Sequence, residues 1–242
     1  MPSDERQTMN TNFQTHTVKS FGEELDRLSD DVARMGGLVE TLVSDCLQAV
    51  MRRDGELADA VIERDRQVDQ MERDIEKRVI RLFALRQPMA TDLRMTIAAY
   101  RISHELERIG DLAKNIARRC RVLNESEPHE MTRSVERMGR LVISQMHEVL
   151  NAFSAGSLDD AHSAMKTDDE IDEIYNSLFR ELLTYMMEDA RTISPSTQML
   201  FVAKNLERIG DHNTNIAEMV HYVLTGEDWR RDRTMSDPDR ES

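Results

Sequence analysis

Residues 106–111 read Leu106-Glu107-Arg108-Ile109-Gly110-Asp111, and residues 206–211 repeat the same six letters as Leu206-Glu207-Arg208-Ile209-Gly210-Asp211. After three intervening residues both copies continue with Asn-Ile-Ala, at Asn115-Ile116-Ala117 and Asn215-Ile216-Ala217. A match over nine positions inside otherwise divergent sequence marks an internal duplication, which governs any reading of the fold. Farther out, at an offset of 103, Met35-Gly36 pairs with Met138-Gly139, Asp65 with Asp168 and Asp69 with Asp172. At the hexapeptide the offset is 100, so the second copy has lost three residues, most simply near the hairpin between its last two helices.

Between the repeated pieces, apolar residues recur at helical spacing. Leu25, Leu28, Val32, Met35, Val39, Leu42, Val43, Cys46 and Val50 form one stripe, and Val61, Val68, Met71, Ile75, Val79 and Leu82 another. Breakers cut the pattern into six segments: Asp54-Gly55, Gln87-Pro88, Asn124 to Pro128, Gly156-Ser157, and Ser194-Pro195. Gly226 closes the last segment. Helices of roughly 25 to 36 residues, about 38 to 54 Å long, joined by short connections predict antiparallel bundles. The expected fold is all-α, with two tandem three-helix bundles over 18–126 and 127–226 related by a pseudo-twofold. Residues 1–17, rich in Thr and Asn, and the charged stretch 227–242 read as flexible tails.

Composition agrees with helices and narrows the function. The 242 residues are 39% hydrophobic, only 5% aromatic and 32% charged, with sixteen Met and few Gly and Pro. A net charge of −14 argues against nucleic-acid binding, which is driven by Lys and Arg, and against an anionic membrane surface. It suits basic protein surfaces or metal cations as partners. Cys46 and Cys120 lie far apart without metal-ligand spacing and read as buried thiols. The polar N-terminus lacks the apolar core of a signal peptide, and no stretch approaches the ~20 apolar residues of a membrane span. A soluble, cytoplasmic protein is expected. No nucleophile–base motif, phosphate loop or nucleotide fingerprint is present, so no enzyme is indicated.

The chemistry lies in the carboxylates. Each half carries two acidic i,i+4 pairs, and residues four apart share one helical face. The pairs are Asp65/Asp69 and Glu107/Asp111 in the first half, and Asp168/Asp172 and Glu207/Asp211 in the second. The midpoints of the first two, Gln67 and Ile109, both lie 21 residues from Pro88. In an antiparallel hairpin they share one height, so four carboxylates meet at one level. The same condition in the second half puts the turn between Asp189 and Ala190, a few residues before Ser194-Pro195. Clustered carboxylates need raised pKa values, basic neighbours such as Arg64, Arg66, Arg108 and Arg208, or a bound cation. Hard oxygen donors favour Mg, Ca, Mn or ferric iron, and a solvated ion-pair face remains the alternative. Asn115 and Asn215 offer a further amide or a helix bridge. Gly110 and Gly210, costly in mid-helix, point to close helix approach or ligand space. A di-metal oxidase needs matched His ligands. His104 stands opposite Lys204 and His212 opposite Leu112, so they are not matched.

Taken together, Met35-Gly36, Asp65-x-x-Val68-Asp69, the string Gln87-Pro88-Met89-Ala90-Thr91-Asp92-Leu93-Arg94 and both hexapeptides with their extensions resemble the PhoU family, accessory regulators of phosphate-specific transport. The resemblance covers about residues 18–226. It implies two three-helix bundles and multinuclear metal sites on Asp65, Asp69, Glu107, Asp111, Asp168, Asp172, Glu207 and Asp211, holding Fe, Mn, Mg or Zn. It implies a negative regulator of the phosphate-starvation response. The family role links the ATPase subunit of the phosphate ABC transporter to a sensor histidine kinase. Homodimers are implied, with the membrane reached only through partner proteins.

Overall fold

The structure is a computed structural model that describes the backbone of residues 5–125 and 130–229, with side chains from residue 22 onward. Six helices account for nearly all of it, and no strand occurs among the described residues. They are α1 (Glu5–Arg52), α2 (Gly55–Arg86), α3 (Ala90–Leu123), α4 (Thr132–Ala155), α5 (Leu158–Glu188) and α6 (Ile193–Thr225). A 3-10 turn, Ala190–Thr192, joins α5 to α6. No described helix is long and apolar enough to cross a membrane. Four helices run 31 to 34 residues, as the spacing of breakers predicts. The other two depart from it, α1 at 48 residues and α4 at 24.

The excess length of α1 takes in residues 5–17, which composition assigned to a tail. Thr and Asn lower helix propensity, but neither Gly nor Pro interrupts the chain from Glu5 to Phe21, so nothing there stops a helix. Residues 230–242 of the C-terminal tail, and the stretch 126–129 that holds the expected bundle boundary, lie outside the described residues.

The helix ends follow the predicted breakers with one correction. Asp54 caps α2 by accepting from Leu57 N, and Ser157 caps α5 by accepting from Asp160 N. Gln87, Gly156 and Gly226 take the left-handed conformation that ends α2, α4 and α6. Helix α6, however, starts at Ile193, so Ser194 and Pro195 lie inside its first turn. Pro is tolerated there because the first-turn N–H groups have no intrahelical acceptor. The capping falls to Asp189, whose carboxylate accepts from Arg191 N. The turn therefore sits at 189–192, where the equal-height condition places it.

Helices α1, α2 and α3 pack together, as do α4, α5 and α6, giving the two bundles. The bundles join through α3 on α6 and α1 on α4. Across the α3–α6 seam Arg101 meets Met219, Glu105 meets Asn215, and Arg119 stacks 4.3 Å above Phe201. Partner numbers run in opposite directions, so the helices are antiparallel, as a pseudo-twofold requires. At the α1–α4 seam the repeated Met-Gly pairs explain themselves. A Cβ on Gly36 would lie 2.5 Å from Leu150 Cδ2, and one on Gly139 2.6 Å from Leu47 Cδ2. Each half thus inserts a leucine into the glycine notch of the other. Cys46 and Cys120 are buried, free thiols in this core, as expected.

Gly36 and Gly37 are neighbours with opposite surroundings, because no heavy atom lies within 4 Å of a Cβ on Gly37. Gly37→Ala is expected to raise stability by about 0.5–1 kcal/mol through helix propensity. Gly36→Ala must also displace Leu150, and urea denaturation is expected to place it about 1–3 kcal/mol below Gly37→Ala. Equal gains from the two variants would contradict the notch.

Candidate functional site: the duplicated carboxylate clusters

The glycine of each hexapeptide lets an aspartate of the preceding helix lie against the backbone. A Cβ on Gly110 would sit 3.2 Å from Asp65 Oδ1 and 3.3 Å from Val68 Cγ1. On Gly210 it would sit 3.3 Å from Ile171 Cδ1 and 3.5 Å from Asp168 Oδ1. Both aspartates are consequently buried, Asp65 at 3% exposure and Asp168 at 2%. Close approach, one of the two readings of these mid-helix glycines, is what the packing uses. Burying a carboxylate costs free energy unless its charge is answered.

In the first bundle a lysine answers it. Lys114, one turn beyond Asp111 on α3, places Nζ 2.5 Å from Asp65 Oδ2 and 2.5 Å from Asp111 Oδ1. Arg108 Nε lies 3.2 Å from Glu107 Oε2 and its Nη1 3.8 Å from Asp111 Oδ2. Burial pushes the Asp65 carboxyl up, Lys114 pulls it back, and the charges of Asp69 and Asp111 push it further, for a net rise. Glu107 is likewise raised, by burial first and then by Asp111 and Asp69, against Arg108. These mutual effects place Asp65, Asp69, Glu107 and Asp111 in one neighbourhood, as equal height predicts. Of the other candidate arginines, Arg64 pairs with Asp45 and Arg66 with Glu63.

The second bundle answers its charge differently. Thr214 stands where Lys114 stands in the first copy, and the lysine lies instead one turn before the hexapeptide's glutamate. Lys204 Nζ is 2.6 Å from Glu207. Asp211 is raised by burial, then by Glu207 and Asp168. Asp168, Glu207 and Asp211 thus share a neighbourhood, while Asp172 occupies an exposed position one turn along α5. The sequence signal for both lysines is the mismatch between copies, Lys114 against Thr214 and Lys204 against His104.

The remaining polar candidates serve the seam. His212 Nδ1 lies 2.6 Å from Glu105 Oε2, and Asn215 donates to the same oxygen at 3.1 Å. Burial pushes the Glu105 carboxyl up, but these two hydrogen bonds outweigh it and its pKa falls below the ordinary value. Asn215 is therefore a helix bridge, and Asn115 accepts from Arg118 at 3.3 Å. His104 Nδ1 is 3.8 Å from Glu72.

Among the described residues no three of His, Cys, Asp and Glu converge closely enough to hold an ion as they stand. The donor chemistry is all hard oxygen, which fits Mg, Mn or iron and fits zinc less well. In the first cluster a metal has to displace the Lys114 ammonium, which already lies between two of the four carboxylates. In the second the ammonium lies beside Glu207, with Lys204 Nζ 2.6 Å away. The donor chemistry of the second cluster suits a hard cation once its side chains converge, whereas in the first Lys114 occupies the place between Asp65 and Asp111.

The chain resembles known proteins along nearly its whole length. The PhoU domain profile matches twice, over residues 32–120 and 135–220, one match to each bundle. The phosphate-specific transport system accessory protein PhoU homolog of Caulobacter vibrioides (strain NA1000 / CB15N) is 54% identical over 223 residues, 92% of this chain and 97% of that one. The crystal structure of PhoU from Pseudomonas aeruginosa matches with a TM-score of 0.84 at 41% identity, covering 86% of this chain and 100% of that one. That of the phosphate transport system regulatory protein PhoU from Streptococcus pneumoniae matches at 0.81 and 33% identity, covering 87% and 100%.

Lys114→Met removes the cation from the buried Asp65. A loss of about 2–3 kcal/mol is expected at pH 7, below the cost of breaking a fully buried pair because Lys114 is partly solvated. The Lys114 pKa is raised, since its two carboxylate partners outweigh burial. Its contribution is therefore complete below the ordinary lysine value and is lost only as pH climbs through the raised one. The Asp65 pKa is raised too, so its ionised form is the costly one. The deficit of Lys114→Met should shrink as pH falls through the Asp65 pKa, and Asp65→Asn combined with it should recover most of the loss. A pH-independent deficit in urea denaturation would contradict this account.

Proposed function

The chain belongs to the PhoU family, and from that premise we propose that it is a cytoplasmic negative regulator of phosphate uptake and of the phosphate-starvation response. It is an accessory protein of phosphate-specific transport and not an enzyme. In the proposed role it works as a homodimeric adaptor between the ATPase subunit of the phosphate ABC transporter and a sensor histidine kinase. It reaches the membrane only through those partners. A net charge of −14 supports docking on basic protein surfaces rather than on anionic lipid. The switch itself needs different affinities for two partner states, since a ligand that binds both equally shifts nothing.

The observation that carries the site reading is the repetition of buried carboxylates against a glycine, once in each bundle. We propose that the second cluster, Asp168, Glu207 and Asp211 with Asp172 beside them, takes a hard cation. Asp65, Asp69, Glu107 and Asp111 take one only when Lys114 moves aside. A bound ion would neutralise the cluster and offer open coordination to a partner's oxygen. The Lys114 bridge favours a second reading for the first cluster, in which its carboxylates are a structural ion-pair network.

Two measurements test these readings separately. Deletion of the protein is expected to give high alkaline phosphatase activity in excess phosphate, and repressed activity would contradict the regulatory role. Metal analysis of purified protein after equilibration with manganese should show bound metal in wild type and in Asp65→Asn/Asp111→Asn. It should show little in Asp168→Asn/Asp211→Asn. No metal in wild type would return both clusters to the structural reading.

A further inference from the structure

The chain is strongly acidic, yet one groove is basic. Between α1 and α2 lies a groove of about 320 Å³ lined by Arg27, Lys77, Arg78 and Arg81 with Glu24 and Asp74, and floored by Leu82. Its four cations against two carboxylates contrast with the net charge of −14. Arg27 and Arg78 continue into a neighbouring groove that also holds Arg34, Asp30 and Asp31.

Most of the acids here already have partners. Glu24 pairs with Arg86 at 2.9 Å, and its carboxyl is held low by that hydrogen bond. Asp31 pairs with Arg78 at 2.9 Å and also with Arg34. Asp74 accepts from Lys77 at 3.0 Å and from Gln70 at 2.9 Å. Arg27 on α1 and Arg81 on α2 form no ion pair among the described residues, though both are near enough to Glu24 to act on its charge. Arg78 Nε is shielded from water and has no hydrogen-bond partner. Two uncommitted guanidiniums on facing helices, lining one groove, form an unfilled set of oxyanion donors.

The fold does not require this charge. At the repeat offset of 103, Arg27 corresponds to Glu130, Arg78 to Glu181 and Arg81 to Thr184. In the second bundle Glu130 instead accepts from Tyr185 at 2.6 Å. Of the four cations only Lys77 keeps a basic counterpart in the second copy, Arg180, so the repeat itself does not dictate Arg27, Arg78 and Arg81.

We propose that the α1–α2 groove binds a multiply charged phosphate anion, clamped between Arg27 and Arg81. Guanidinium forks match phosphate oxygens in pairs, and the groove has room for orthophosphate or a diphosphate group. The site is separate from the carboxylate clusters and does not rest on their holding metal.

Isothermal titration of the full chain at about 0.15 M salt, where loose surface attraction is screened, tests it. Orthophosphate, pyrophosphate and citrate are titrated into wild type and into Arg27→Ala/Arg81→Ala, whose side chains are exposed and outside the core. Saturable binding of either phosphate, weakened about tenfold or more in the variant with unchanged helicity, is expected. Preference between orthophosphate and pyrophosphate then names the source. No saturable binding, equal binding by the variant, or equal binding of citrate overturns the proposal.

Discussion

Two aspartates lie buried against helix backbone, and much of the molecule is arranged around that fact. Asp65 and Asp168 reach their places because Gly110 and Gly210 carry no side chain, so each hairpin closes until a carboxylate oxygen meets the glycine. At Asp65 such burial raises the free energy of the ionised form, and the neighbouring Asp69 and Asp111 raise it again. Something positive must then be supplied. The first bundle supplies Lys114 from within the chain, beside Asp65, while the second sets Lys204 beside Glu207. One duplicated constraint has acquired two different electrostatic answers.

The same duplication holds the bundles together. Glycine notches at Gly36 and Gly139 receive Leu150 and Leu47, so the α1–α4 seam is built twice from one motif. The α3–α6 seam brings the two hexapeptide helices into antiparallel contact, with Glu105, His212 and Asn215 as its polar centre. Close helix approach gains dispersion contacts along each seam, which offsets the propensity cost of mid-helix glycine. Repeated glycines therefore mark the planes along which this fold is assembled.

The repeat, the breakers and the register were legible in the sequence because each has a local signature. Equal distances from Pro88 foretold that Asp65 shares a height with Asp111 and Asp69 with Glu107, and the same arithmetic located the second turn at Asp189 better than Ser194-Pro195 did. Composition misled at residues 5–17, where Thr and Asn suggest a tail but nothing breaks the helix. The repeat does not reveal Lys114, because the charge compensation lies where the copies differ, Lys114 against Thr214. The Glu105–His212 contact joins residues 107 apart and depends on the seam, which no local pattern announces.

Membership in the PhoU family fixes the setting as phosphate-specific transport, and the two clusters are where this chain's own chemistry concentrates. The central claim is that a tethered ammonium fills the first cluster and a hard cation the second. Anomalous diffraction from crystals equilibrated with manganese tests it directly. The account predicts a peak beside Asp168, Glu207 and Asp211, and Lys114 Nζ lodged between Asp65 and Asp111. Metal between Asp65 and Asp111 with Lys114 turned away, or no peak at the second cluster, would contradict it.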